Sequence, residues 1–114
     1  MGYTTEFRGH FDISPPLPAE TLEELGLFLE ERHSYTTHPS IHCDWDFSDD
    51  GCQMYWNGSE KSYNMLQWAI YLKNKFFPSH TVSGRIHARG EEFDDIWEMV
   101  ACPISSQIRR EGWK

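Results

Sequence analysis

Ile41-His42-Cys43-Asp44-Trp45-Asp46-Phe47-Ser48-Asp49-Asp50-Gly51-Cys52-Gln53-Met54-Tyr55-Trp56-Asn57 is the stretch that decides the fold. Successive side chains of a β-strand point to opposite faces. Ile41, Cys43, Trp45 and Phe47 therefore share one side, and His42, Asp44 and Asp46 the other. Ser48-Asp49-Asp50-Gly51 is rich in turn formers, and Gly51 can take a positive φ without steric cost. On the return, Cys52, Met54 and Trp56 share a face, with Gln53 and Tyr55 opposite. Pairing Phe47 with Cys52 would set Trp45 against Met54 and Cys43 against Trp56, all on the apolar side. Cys43 and Cys52 are not opposed in that register, so no disulfide is expected between them.

Upstream, Tyr3 to Ile13 alternates as a half-buried strand, with Tyr3, Thr5, Phe7, Gly9, Phe11 and Ile13 on one face. Ser14-Pro15-Pro16-Leu17-Pro18 ends it, because proline cannot donate to a ladder. Pro18 suits a first helical turn, and Glu20, Glu23 and Glu24 suit the positive end of the helix dipole. Leu22, Leu25, Phe28 and Leu29 form the inward stripe of a helix that fades near His33. Ser34 to Ser40 reads as loop. Downstream, Ser59 and Glu60 mark the start of a second helix, running roughly from Glu60 to Phe77. Met65, Trp68, Ala69, Leu72 and Phe76 recur along it at helical spacing. Pro78 ends that helix. Thr81 to Arg89 alternates as a strand, Gly90 to Asp94 turns the chain, and Asp95 to Cys102 is a last strand closed by Pro103. Residues 104–114 form a polar C-terminal tail expected to fray.

The resulting order, β-α-β-β-α-β(-β), predicts a single α+β domain over residues 1–103. Its expected form is ferredoxin-like, an antiparallel sheet with two helices on one face. The chain has 114 residues, 39% hydrophobic and 15% aromatic, enough for one core without metals or disulfides. No apolar run approaches the roughly 20 residues that span a bilayer. The start resembles neither a signal peptide nor a myristoylation site. A cytoplasmic protein with reduced thiols at Cys43, Cys52 and Cys102 is the expectation. The net charge of −8 disfavours direct nucleic-acid binding, which phosphate attraction normally drives.

The hairpin and second helix also carry a resemblance. Cys43-Asp44-Trp45, Asp50-Gly51 and Trp56-Asn57-Gly58-Ser59-Glu60-Lys61-Ser62-Tyr63, with Trp68 beyond, fit a pattern C-x-W, D-G, W-x-G-x-E-K-x-Y. Gly2-Tyr3-Thr4-Thr5-Glu6-Phe7-Arg8-Gly9 adds a Y-T-T-x-F-x-G start. Together they resemble a family of small, uncharacterised phage and bacterial proteins, some of them longer between the first helix and the hairpin. The resemblance covers most of the chain. It implies a phage or mobile-element setting, in the host-cell cytoplasm, and no particular reaction.

Four groups of residues are candidates for chemistry. The open sheet face gathers His10, Asp12, His42, Asp44, Asp46 and His87, side-chain types that bind divalent metals or small ligands and support hydrolysis. No HExxH or CxxC sharpens that reading. The competing one is a solvated face cross-linked by ion pairs of Glu6, Arg8, Arg85 and Arg89. Trp56 to Tyr63 is a second group, where a helix start and Lys61 favour an anion and Glu60 opposes it. The three thiols fall on buried or part-buried faces, where a cysteine is inert, and no nucleophile elbow is present. No cofactor is expected.

The fourth group is acidic: Glu23, Glu24, Glu30 and Glu31 on the first helix, and Asp49 and Asp50 in the turn. Charge complementarity would steer such a surface to a basic one. The expectation is a small, non-catalytic protein–protein interaction domain, an anti-defence inhibitor that occupies a basic surface of a host protein. Pairing through the edge strand Asp95 to Cys102 offers a homo-oligomer as a further association.

Overall fold

In the computed structural model, which describes residues 4–102, 104–105 and 107–112, the chain is α+β. Met1 to Tyr3, where the first strand was expected to begin, and Pro103 lie outside the described residues. The elements are β1 (Thr5–Ser14), α1 (Ala19–Glu30), β2 (Trp45–Phe47), β3 (Gln53–Trp56), α2 (Met65–Phe76), β4 (Thr81–Gly90), β5 (Ile96–Ala101) and β6 (Ile108–Gly112). The strands form one sheet in the order β2-β3-β1-β4-β5-β6, with every pairing antiparallel.

Long, unbroken pairing of β1 with β4, from Thr5↔Gly90 to Ser14↔Thr81, makes these two strands the spine. Their inward residues Phe7, Phe11, Ile13, Val82, Ile86 and Ala88 are buried. They join one cluster with Trp45, Phe47, Met54, Met99 and Ile108 from the other strands and with Leu25, Met65, Trp68, Ala69 and Leu72 from the helices. At roughly 25 cal/mol per Å² of apolar surface removed from water, that continuous layer is the main source of stability.

Met65, Trp68, Ala69 and Leu72 of the expected α2 stripe are buried and Phe76 is half-buried, but the helix starts five residues later than expected, at Met65. Its N-cap is Asn64, in a left-handed conformation with φ 55°, rather than Ser59. The intervening chain folds as a loop tied by polar bonds. Ser59 N–H donates to Asn57 Oδ1 (2.9 Å), Ser62 Oγ donates to Ser59 O (3.2 Å), and Trp56 Nε1 donates to Ser62 Oγ (2.8 Å). Serine and asparagine side chains that bond nearby backbone compete with helix in this way.

The hairpin keeps its faces and changes its register. Phe47 pairs with Met54 and Trp45 with Trp56, two residues on from the expected match. A shift of two preserves which side chains face the core. Its cause is a larger turn: Ser48 N–H donates to Gln53 O and Gly51 N–H to Ser48 O, both at 3.0 Å. Asp50 Oδ1 accepts from Ser48 Oγ (2.6 Å) and from Cys52 N–H (3.0 Å). Gly51 does adopt a positive φ, +74°. A Cβ there would stand 2.6 Å from Leu17 O, so the turn docks against the proline-rich segment after β1. Leu17 N–H donates to Gly51 O across that contact (3.0 Å).

Two further expectations need correction. β2 begins at Trp45, so Ile41 to Asp44 precede the strand as bends and irregular chain. The tail expected to fray needs correction over residues 108–112, which form β6, pairing from Ala101↔Ile108 to Trp97↔Gly112, while Ser106, Trp113 and Lys114 lie outside the described residues. Ile108 caps the apolar layer, and Arg110 lies over the Trp97 ring at 4.4 Å. β5 is consequently an interior strand. The Asp95-to-Cys102 edge proposed for self-pairing is occupied by β6, and the sheet edges are β2 and β6.

Candidate functional site

The open face of the sheet spreads its polar side chains out. His10 donates from Nε2 to Asp12 Oδ1 (3.1 Å), two residues along β1. His87 lies on β4 opposite Arg8, and His10 lies opposite Arg85. Asp46 sits on β2, with β3 between it and β1. His42 and Asp44 are on no strand; His42 is exposed and Asp44 is buried. Among the described residues, no three His, Cys, Asp or Glu side chains are grouped so as to hold a metal ion. Period-two spacing puts residues on one face, but side chains on a sheet stand roughly parallel and do not converge.

Ion pairs occupy this face instead. Arg8 meets Glu6 at 3.3 Å, Arg85 meets Glu98 at 2.9 Å, and Arg109 meets Glu111 at 2.6 Å. The Arg109 guanidinium holds the Glu111 carboxyl below its ordinary range. Glu6, Arg8, His87 and Arg89 line a small hollow of about 180 Å³.

A larger concavity lies elsewhere, at the end of the hairpin opposite its turn. The chain that enters β2 and the chain that leaves β3 come together there, around a cleft of about 740 Å³. Tyr35, Pro39, Ser40, Ile41, His42, Cys43 and Asp44 wall it from one loop. Asn57, Ser59, Lys61, Tyr63 and Asn64 wall it from the other, and Leu29 of α1 completes it. The loops are joined directly. Asn57 N–H donates to Asp44 O (3.0 Å), and Asn64 Nδ2 donates to Pro39 O.

Aromatic rings pin the first loop to the helices. Trp68, at 0% exposure, donates from Nε1 to Ser40 Oγ (2.7 Å). His33 donates from Nε2 to Phe28 O (3.0 Å), satisfying one of the terminal carbonyls of α1. Its ring lies 4.3 Å from Phe28 and 4.8 Å from His38, while His38 packs on Tyr71 at 5.3 Å. Trp45 donates from Nε1 to Met65 O (2.9 Å), fixing the start of α2 against β2. The cleft is thus pre-formed by buried anchors on two helices and a strand.

Cys43 lies at the cleft with its thiol pushed up to about 12, first by burial and then by the charge of Asp44, against a stabilising backbone hydrogen bond at Trp45. Such a thiol carries almost no thiolate at neutral pH and makes a poor nucleophile. Cys102 differs: hydrogen bonds from the Ser105 backbone and hydroxyl lower its pKa. Cys43, Cys52 and Cys102 are all free.

The acidic candidates separate into two sets. Glu23 of α1 and Asp46 and Asp49 of the hairpin line one groove of about 300 Å³, floored by Leu22, Leu25 and Phe47. No basic side chain lines it. Glu24 and Glu31 line a different hollow on the far side of α1, beside Lys75. Glu30 is exposed and lines neither of these hollows. Asp50 is committed to the turn, where the Ser48 hydroxyl and then the Cys52 N–H lower its pKa.

Sequence reasoning placed Lys61 near an anion site at a helix start, whereas Lys61 and the exposed Tyr63 line the cleft ahead of the helix. It passed over Tyr35, Asn57 and Asn64. One signal for them was available. The loop before the first strand of a hairpin and the loop after the second must emerge at the same end. No protein-family model, curated protein or solved structure matches this chain. No helix among the described residues is long and apolar enough to cross a membrane.

Proposed function

We propose that this chain is a non-catalytic binding protein that engages a basic surface of another protein through α1 and the β2–β3 turn. The observation that carries the reading is the groove shared by Glu23, Asp46 and Asp49, acidic from both walls and free of basic lining. Like charges held together at a surface raise the local potential, which speeds encounter with a cationic partner and penalises an anionic one. The chain's net charge of −8 acts in the same sense. A phage-encoded inhibitor of a host or defence protein, working in the host cytoplasm, is the setting that the sequence resemblance supports.

A ferredoxin-like unit, extended by β5 and β6, is the scaffold we infer. The order β2-β3-β1-β4, antiparallel throughout with β3 inserted between β1 and β2, supports it.

The test is capture of a partner from host lysate at about 0.05 M and about 0.5 M salt, a range across which the Debye length shrinks severalfold. It is run with the wild-type chain and with a Glu23→Lys, Asp46→Lys, Asp49→Lys variant. Asp50 is left alone because it holds the turn together. Binding should fall with both salt and charge reversal. A partner retained equally under all four conditions would remove the electrostatic basis of the proposal.

A further inference from the structure

Asp44 is a buried acidic residue. The residue is 8% exposed, and among the described residues its carboxylate forms neither an ion pair nor a hydrogen bond. Burying a carboxylate without a partner is costly. The carboxylate is nonetheless not sealed, since among the described residues the one buried side-chain atom closed off without a partner is His80 Nδ1. Asp44 is among the residues that line the 740 Å³ cleft. The volume falls within the range of small-molecule sites.

The rim adds a second, independent observation. Tyr35 is 75% exposed and Tyr63 51%, and both line this cleft along with the exposed Ile41. Aromatic faces at the mouth of a cleft lined by an unpaired acidic residue are complementary to a cation with an apolar or planar body. The basic residues lining the cleft are Lys61 and His42, both exposed and neither paired with Asp44.

We propose that the cleft is a receptor for an organic cation, an ammonium or guanidinium group, with Asp44 as its counter-ion and Tyr35 and Tyr63 as its aromatic rim. A charge-assisted hydrogen bond to the carboxylate fixes the head group, and the rings cover its alkyl or planar body. Lys61 repels the same ligand from the opposite wall and so sets an upper limit on affinity. The cation comes either from a free amine or from an arginine or lysine side chain of a partner. The site stands on Asp44 and the rim, and it does not depend on the acidic groove.

The experiment titrates the full chain with agmatine, with N-acetyl-arginine amide and with a short peptide carrying one arginine. Heats of binding and amide NMR shifts are followed, and the citrulline analogue of the amide serves as a neutral control. Saturable binding that shifts residues 41–44 and 57–64 is expected, with no response to the citrulline compound. Asp44→Asn, which preserves shape, should weaken binding at least about tenfold, the scale of a charge-assisted hydrogen bond. Tyr63→Ala should weaken it less, and Lys61→Gln should tighten it. If Asp44→Asn fails to fold, the opposite effects of Tyr63→Ala and Lys61→Gln carry the test. Tighter binding of agmatine identifies a free amine as the source, and tighter binding of the peptide identifies a side chain. The proposal is overturned if none of the three cations binds, if citrulline binds equally, if a folded Asp44→Asn binds normally, or if Lys61→Gln weakens binding. The Glu23→Lys, Asp46→Lys, Asp49→Lys variant should still bind agmatine, which separates a failure here from a failure of the acidic groove.

Discussion

The open face of the sheet and the loop cleft at the hairpin end draw on the same kinds of residue and use them differently. On the face, His10, Asp12, Arg85 and His87 are held by regular strands, and each finds a neighbour along or across the ladder. In the cleft, Asp44 and its surroundings lie outside the strands and wall a common gap. A ladder spaces side chains about 4.8 Å apart between strands and points them in parallel, which favours pairwise ion pairs. Loops closed on each other can aim groups at a common point. The difference teaches that polar residues at strand spacing define a surface, and that convergence has to come from chain reversal.

The comparison can be broken by experiment. Its largest expected effect is at the anchor of the cleft. Trp68→Ala removes a fully buried ring and the donor to Ser40, and should cost about 3–5 kcal/mol in denaturant unfolding. A loss below about 1 kcal/mol would mean that the first loop is not pinned by α2, and the cleft would lose its claim to being pre-formed.

At the other end of the hairpin, Gly51→Ala forces a Cβ into the Leu17 backbone at φ +74°. It should destabilise by more than about 1 kcal/mol, as alanine does where the native φ is positive. A neutral result would show that the turn does not dock on the proline segment.

Cys43 supplies a pH test of burial at the cleft. Its folded pKa, about 12, lies above the ordinary value of 9.0, so the folded chain holds this proton more tightly than the unfolded chain. Between those values the unfolded state binds fewer protons, and stability falls as pH rises. The slope from this group approaches about 1.4 kcal/mol per pH unit. Stability measured at pH 8 and pH 10 should drop more in the wild type than in Cys43→Ala; equal drops would place the thiol in water. In the same protein, iodoacetamide should modify Cys102 well before Cys43, because the Ser105 hydrogen bonds favour the Cys102 thiolate.

The smallest effect belongs to the open face. Arg85→Ala removes an exposed partner of Glu98 and should cost under about 1 kcal/mol, less again at high salt. A larger, salt-resistant loss would give that face a structural importance that its exposure argues against.

Much of the architecture is legible residue by residue. Phe7, Phe11, Ile86 and Ala88 follow period two, and Met65, Trp68, Ala69 and Leu72 follow the helical period, because burial of one face imprints its repeat on the sequence. β6 is not legible in that way. Within Ile108-Arg109-Arg110-Glu111-Gly112, Ile108 is the one buried side chain, and an edge strand with a solvated outer face needs few apolar residues. The start of α2 was misplaced because Ser59 and Glu60 look like a cap and first turn. The competing bonds among Trp56, Asn57, Ser59 and Ser62 depend on where the Trp56 ring lies.

For this protein the sequence by itself determined the α+β class, the hairpin with its apolar side, the helix stripe and the acidic balance. All of these are properties of nearest neighbours and of composition. The strand order, the two-residue change of hairpin register, the strand made from the C-terminal residues and the cleft around Asp44 were decided only by tertiary structure. Each rests on which distant groups meet once the core has closed. Asp44 shows the contrast most directly: its place in the hairpin repeat put it on the open face, and the bend before Trp45 turned it into the wall of a cleft.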